Sequence, residues 1–137
     1  MRGLLFAAVV ACVLPIAAAP TASATPVSTP PPYVDHVEWA KWGDLSSLRV
    51  YPTAAGRDMS ARPGSRPLAD EAWSEVLTLS PDAAIAGMSE QFICHWQFAE
   101  LIEPGKISWN LEPWRPVVSD EEMVTTGCNP GGTEEPF

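Results

Sequence analysis

Tyr33–Tyr51 reads YVDHVEWAKWGDLSSLRVY, and this stretch decides the fold class. From Tyr33 to Ala40 the residues alternate. Tyr33, Asp35, Val37 and Trp39 fall on one face, and Val34, His36, Glu38 and Ala40 on the other. A period of two among β-formers predicts a strand. Trp42-Gly43-Asp44 is turn chemistry, and Ser47–Tyr51 (SLRVY) predicts a second short strand that Pro52 stops. The two pair as a hairpin.

Downstream, Thr53–Pro67 reads as a long loop, punctuated by Gly56, Pro63, Gly64 and Pro67 and carrying Arg57, Arg62 and Arg66. Leu68–Leu79 turns helical: Leu68, Ala72, Trp73, Val76 and Leu77 share a face, while Asp70, Glu71 and Glu75 point outward. Ser80 and Pro81 suit the N-cap and first position of another helical turn. Gln91–Ala99 (QFICHWQFA) alternates again and predicts a central strand, although a buried helix could carry the same residues. Ile107, Trp109 and Leu111 predict a further strand, ended by Pro113. Ser119 and Glu122 have capping-box spacing, and Gly127 can stop the short helix just before Cys128. The order strand, strand, helix, strand, strand, short helix describes an α+β fold: a small antiparallel sheet packed on one or two helices.

Upstream lies an export signal. Arg2 supplies a positive start, Leu4–Leu14 an uncharged apolar run, and Ala22-Ser23-Ala24 the small residues that place cleavage before Thr25. That run is about half of the ~20 residues a bilayer-spanning helix needs, and no later stretch approaches that length. Val9–Cys12 also has the look of a lipobox, but Val13, Leu14 and Ile16 would then replace the usual polar tether. The organisation expected is a signal peptide over 1–24, a proline-rich leader over 25–32, one α+β domain over 33–130 and a flexible tail over 131–137. Localisation is expected to be extracellular or in the cell envelope. The net charge of −9 argues against nucleic acid or an anionic membrane as a partner. Cys12 leaves with the signal, so Cys94 and Cys128 form an even pair in an oxidising compartment and read as a disulfide. In the loop-entropy picture such a bridge contributes on the order of 3–4 kcal/mol. A zinc site from Cys94, His95 and Cys128 is the rival, but adjacent ligands chelate poorly and paired CxxC spacing is missing.

The segments YVDHVEWAKWG, SLRVYPT, QFICHW, SWNLEPWRP and GCNPGG together resemble a family of small secreted actinobacterial, notably mycobacterial, proteins catalogued only as a domain of unknown function. The resemblance runs from Tyr33 to about Gly132. It implies export and a Cys94–Cys128 bridge, and carries over no activity, substrate or catalytic residue.

Both histidines, His36 and His95, fall on predicted strands. With Glu112 on the last strand they could converge as a general base and its orienting carboxylate, activating water in a small hydrolase. A nucleophile elbow of the GxSxG type is missing. A metal site from His36, His95 and an acid lacks HExxH spacing, so neither metal nor other cofactor is expected. Of six tryptophans, Trp39, Trp73, Trp96 and Trp109 read as core. Trp42 and Trp114 lie at turns and are candidates for ligand contact. Arg115 beside Trp114 could anchor a carboxylate or phosphate, assisted by the loop arginines, or could instead pair with Glu112 and pin the chain. The leading expectation is a non-catalytic binding or interaction module built on Trp42, Trp114, Arg115 and the Thr53–Pro67 loop, for an unidentified extracellular or envelope ligand or protein. The hydrolase is the alternative.

Overall fold

A computed structural model of the chain describes residues 29–132. The expected signal peptide, the first residues of the expected leader and the end of the expected tail lie outside the described residues. The fold is α+β: a three-stranded antiparallel sheet in the order β1-β2-β3, packed against helices. The strands are β1 (Val34–Trp42), β2 (Leu45–Pro52) and β3 (Trp109–Leu111). The helices are α1 (Ala54–Ser60), α2 (Leu68–Leu79), α3 (Met88–Ile102) and α4 (Asp120–Thr125), with a 3₁₀ turn at Pro81–Ala83.

The hairpin forms as its alternation predicts, with Val37 opposite Val50 and Trp39 opposite Leu48. One irregularity, between Val34 and His36, lets Tyr33 and Val34 both turn inward while Asp35 and His36 stay exposed. Helix α2 has the predicted bounds, but Glu75 does not point away. It accepts from the backbone N–H of Tyr33 (2.7 Å) and Val34 (2.8 Å), tying the helix to the start of β1. Ser80 does not cap the following turn with its side chain; it accepts instead from the Trp39 indole at 3.0 Å.

Two expectations are corrected. Gln91–Ala99 is not a strand but the middle of α3. The buried set Met88, Gln91, Phe92, His95, Trp96 and Ala99 follows helical spacing, while Cys94 is buried on another side of the helix. Because α3 is covered on two sides, its apolar residues also fit an alternation of two. Part of the Thr53–Pro67 loop is helix α1. Thr53 caps it, accepting from the Gly56 N–H at 2.9 Å. Gly56 sits there because the helix presses on the chain before β1: a Cβ would lie 2.2 Å from the Tyr33 carbonyl oxygen.

The main core joins Leu48, Val50, Trp109 and Leu111 of the sheet to Phe92 and Trp96 of α3 and to Ala69, Ala72 and Val76 of α2. Trp96 meets Trp109 and Tyr33 edge-on, with centroids 6.2 and 5.5 Å apart. Burial and the nearby Glu71 and Glu75 carboxylates raise the Tyr33 phenol above its ordinary pKa. A second, smaller core of Cys94, Met123 and Cys128 lies between α3 and α4, with Phe98 and Val118 against it. There the disulfide joins Cys94 to Cys128, with an S–S distance of 2.05 Å and a sequence separation of 34. With both sulfurs bonded to each other, the alternative zinc site does not form. Helix α4 is capped by Ser119, whose hydroxyl accepts from the Glu122 N–H at 3.3 Å, and Gly127 (φ +62°) ends it before Cys128.

Candidate functional site

The residues singled out from sequence fall into separate places. His36 is exposed on the edge strand, stacked on Tyr51 with centroids 4.1 Å apart, and its Nδ1 lies 2.6 Å from Asp35. His95 is buried on α3, where Nδ1 donates to the Gln91 carbonyl at 2.8 Å. It borders a hollow of about 200 Å³ with Glu103, Lys106 and Asn129, which neither His36 nor Glu112 borders. Glu112 accepts from Ser47, and Ser47 stands opposite Ala40 of β1. His36 lies a further ~13 Å along that strand, at about 3.3 Å per residue. The three side chains of the water-activating arrangement therefore share no cleft. Among the described residues no group of three or more His, Cys, Asp and Glu could hold a metal ion.

Glu112 and Arg115 instead form a buried knot. Arg115 Nε donates to Glu112 at 2.7 Å, and the side chains are 0 and 1 % exposed. The same carboxylate accepts from Ser47 at 2.9 Å, while Arg115 NH1 donates to the carbonyls of Pro130 (3.1 Å) and Gly132 (2.9 Å). Gln91 clamps the backbone of Glu112 from α3, donating to its carbonyl and accepting from its N–H, both at 2.9 Å. The Trp114 ring lies under the Arg115 guanidinium at 4.6 Å, and its indole donates to Ser46 at 3.0 Å. This is the pinning role for Arg115. The guanidinium is spent on the protein's own carbonyls and carboxylate, inside the fold, and Trp114 is half-buried beside it. Trp42 alone of the three is prominently open, at 58 % exposure on the tip of the hairpin. Of the loop arginines, Arg57 pairs with Glu100, Arg62 with Asp58 and Arg66 with Asp70.

A concavity larger than the His95 hollow lies elsewhere. Between α4 and the Pro63–Arg66 turn, α3 presents Glu90, Ile93, Gln97 and Phe98 to a groove of about 510 Å³, whose far wall is Asp120, Met123 and Val124. Past Gln97 and Phe98 it continues into a hollow of about 290 Å³ that ends at Leu101. At about 1.5 Å per helical residue, the floor from Glu90 to Leu101 is roughly 17 Å long. Ile93, Phe98, Met123 and Val124 give the groove apolar surface, Gln97 lies on its floor, and Glu90, Asp120 and Arg66 are its charged borders. Reading α3 as a strand hid this groove, because Glu90, Ile93, Gln97 and Leu101 share a face only at helical spacing. Only the 60–66 portion of the wall falls within the segment expected to bind.

No solved structure matches this chain. The uncharacterized protein Rv0477 of Mycobacterium tuberculosis is 64 % identical over 107 residues, covering 78 % of this chain and 72 % of that protein. The uncharacterized protein Mb0487 of Mycobacterium bovis matches equally well, at 64 % over 107 residues. In Mycobacterium leprae the uncharacterized protein ML2452 is 52 % identical over 103 residues, or 75 % of this chain and 83 % of that protein. These relatives accord with the mycobacterial resemblance of the sequence. A model for a protein family of unknown function, DUF2599, matches residues 34–131, and the chain belongs to that family.

Proposed function

We propose that the chain is an exported, non-catalytic binding domain of the cell envelope or extracellular space whose contact surface is the groove along α3. The groove itself carries this reading. Its volume of about 510 Å³ lies within the roughly 300–1,000 Å³ of ligand sites. Ile93, Phe98, Met123 and Val124 offer apolar contact, while Glu90, Gln97 and Asp120 can orient a ligand. Arg115, at 3 % exposure, lies inside the fold and not on this surface. Trp42 stays accessible at the hairpin tip. Export is supported by the Arg2, Leu4–Leu14 and Ala22-Ser23-Ala24 signal and by a disulfide of the kind that persists outside the cytosol.

Amide shifts of the mature protein, titrated with neutral Leu-rich hexapeptides, test the surface. Shifts are expected to cluster on Ile93, Gln97, Phe98 and Val124, and Val124→Arg should weaken binding at least about tenfold. Shifts centred on Trp42 and Trp114 would overturn the assignment. Intact mass of protein recovered from culture supernatant should begin at Thr25 with Cys94 and Cys128 oxidised; recovery of the chain only inside cells, with Met1 attached, would remove the export part.

A further inference from the structure

The charge around the groove names a class of ligand for it, an inference that rests on the reading above. Arg62 borders the smaller hollow and Arg66 borders both, and each is already answered by a carboxylate of the protein. Arg62 sits 2.6 Å from Asp58, and Arg66 lies 3.4 Å from Asp70. An anionic ligand there would have to compete with those acids. The groove's two acids differ. Glu90 accepts from the Ser89 hydroxyl at 2.9 Å, and no ion pair is formed by Glu90 or Asp120 among the described residues. Asp120 opens α4, followed by Glu121 and Glu122. With Arg66 paired to Asp70, Glu90 and Asp120 leave the groove negative on a molecule whose net charge is −9. The floor has Ile93 and Phe98 half-buried and Leu101 64 % exposed. Its ~17 Å length equals about five residues of extended chain at roughly 3.3 Å each.

We infer that the groove takes a short peptide segment of apolar residues with a lysine or arginine at one end, the cation seated between Glu90 and Asp120 and the apolar residues along Ile93, Phe98 and Val124. The summed field draws such a segment in, and salt screens that attraction.

Fluorescence anisotropy with three labelled hexapeptides of one Leu-rich centre, ended by Lys, Gln or Glu, tests the inference on the mature protein. The Lys peptide should bind about tenfold tighter than the Gln peptide, with the Glu peptide weakest, and 1 M salt should shrink the spread. Glu90→Gln/Asp120→Asn should abolish the preference, bringing the Lys peptide down to the level of the Gln peptide. Glu38→Gln, on β1 and away from the groove, should leave the preference intact. Equal binding of all three peptides, or tighter binding of the Glu form, overturns the basic-ligand inference but leaves a groove that binds. Binding of none of them, or binding undiminished by Val124→Arg, overturns the groove reading too.

Discussion

The two cores of this molecule are held by different physics. The main core is large and almost wholly apolar: Trp96, Trp109, Phe92, Leu48 and Val50 are at most 1 % exposed, and the sheet, α2 and α3 close on it from several sides. Burial at about 25 cal/mol per Å² of apolar surface suffices for such a cluster. The small core beneath α4 has only Cys94, Met123 and Cys128 fully buried. It is too small to hold a six-residue helix by burial alone, so covalent and polar fastenings take over. The disulfide joins it to α3, and the Arg115–Glu112 knot straps the 130–132 turn to the end of β3. The lesson concerns function. The proposed groove is walled on one side by the part of the protein that depends on fastenings, and its floor is α3, which belongs to both cores.

The largest loss of stability is expected at the knot. Arg115→Ala leaves Glu112 buried without its cation and should cost about 3–5 kcal/mol in urea unfolding. Glu112→Leu/Arg115→Met, which removes both charges, should recover most of that loss. If the single change costs under about 1 kcal/mol, the strap is not what secures the C-terminal turn.

Next in size, Cys94→Ala/Cys128→Ala should cost on the order of 3–4 kcal/mol. Near-UV circular dichroism from the Trp96–Trp109 cluster should survive, while amide protection across α4 falls. Loss of both signals together would show that the two cores are one cooperative unit.

The smallest effect is expected at the start of α4. Ser119→Ala removes the cap on the Glu122 N–H and should cost about 1 kcal/mol, read as faster hydrogen exchange at Glu122 and Met123 with the main core unchanged.

Much of the fold was legible in local patterns. The Tyr33–Tyr51 hairpin, the bounds of α2, the cap at Ser119 and the stop at Gly127 each depend on a residue and its near neighbours. The α3 segment was not legible. A helix buried toward the sheet with Phe92 and Trp96, and toward α4 with Cys94 and Phe98, has apolar residues that match a period of two as well as 3.6. Helix α1 was hidden by Gly56, whose role is a close approach to Tyr33 rather than a turn. For the site, the pinning role of Arg115 was foreseen as one option. Gln91 was missed, because its use shows only when α3 meets the backbone of Glu112 across 21 residues of sequence separation.

What the sequence determined by itself was whatever short-range chemistry decides: an α+β chain, a hairpin, the α2 helix, the Ser119 cap of α4 and two cysteines suited to pairing. Only the tertiary structure decided what the scattered polar residues do. It spread His36, His95 and Glu112 over different surroundings, buried Arg115 against Glu112, and opened a groove where α3, α4 and the Pro63–Arg66 turn fail to meet. Such outcomes depend on which elements pack together, and burial acts between residues far apart in the chain, where no local pattern records the pairing.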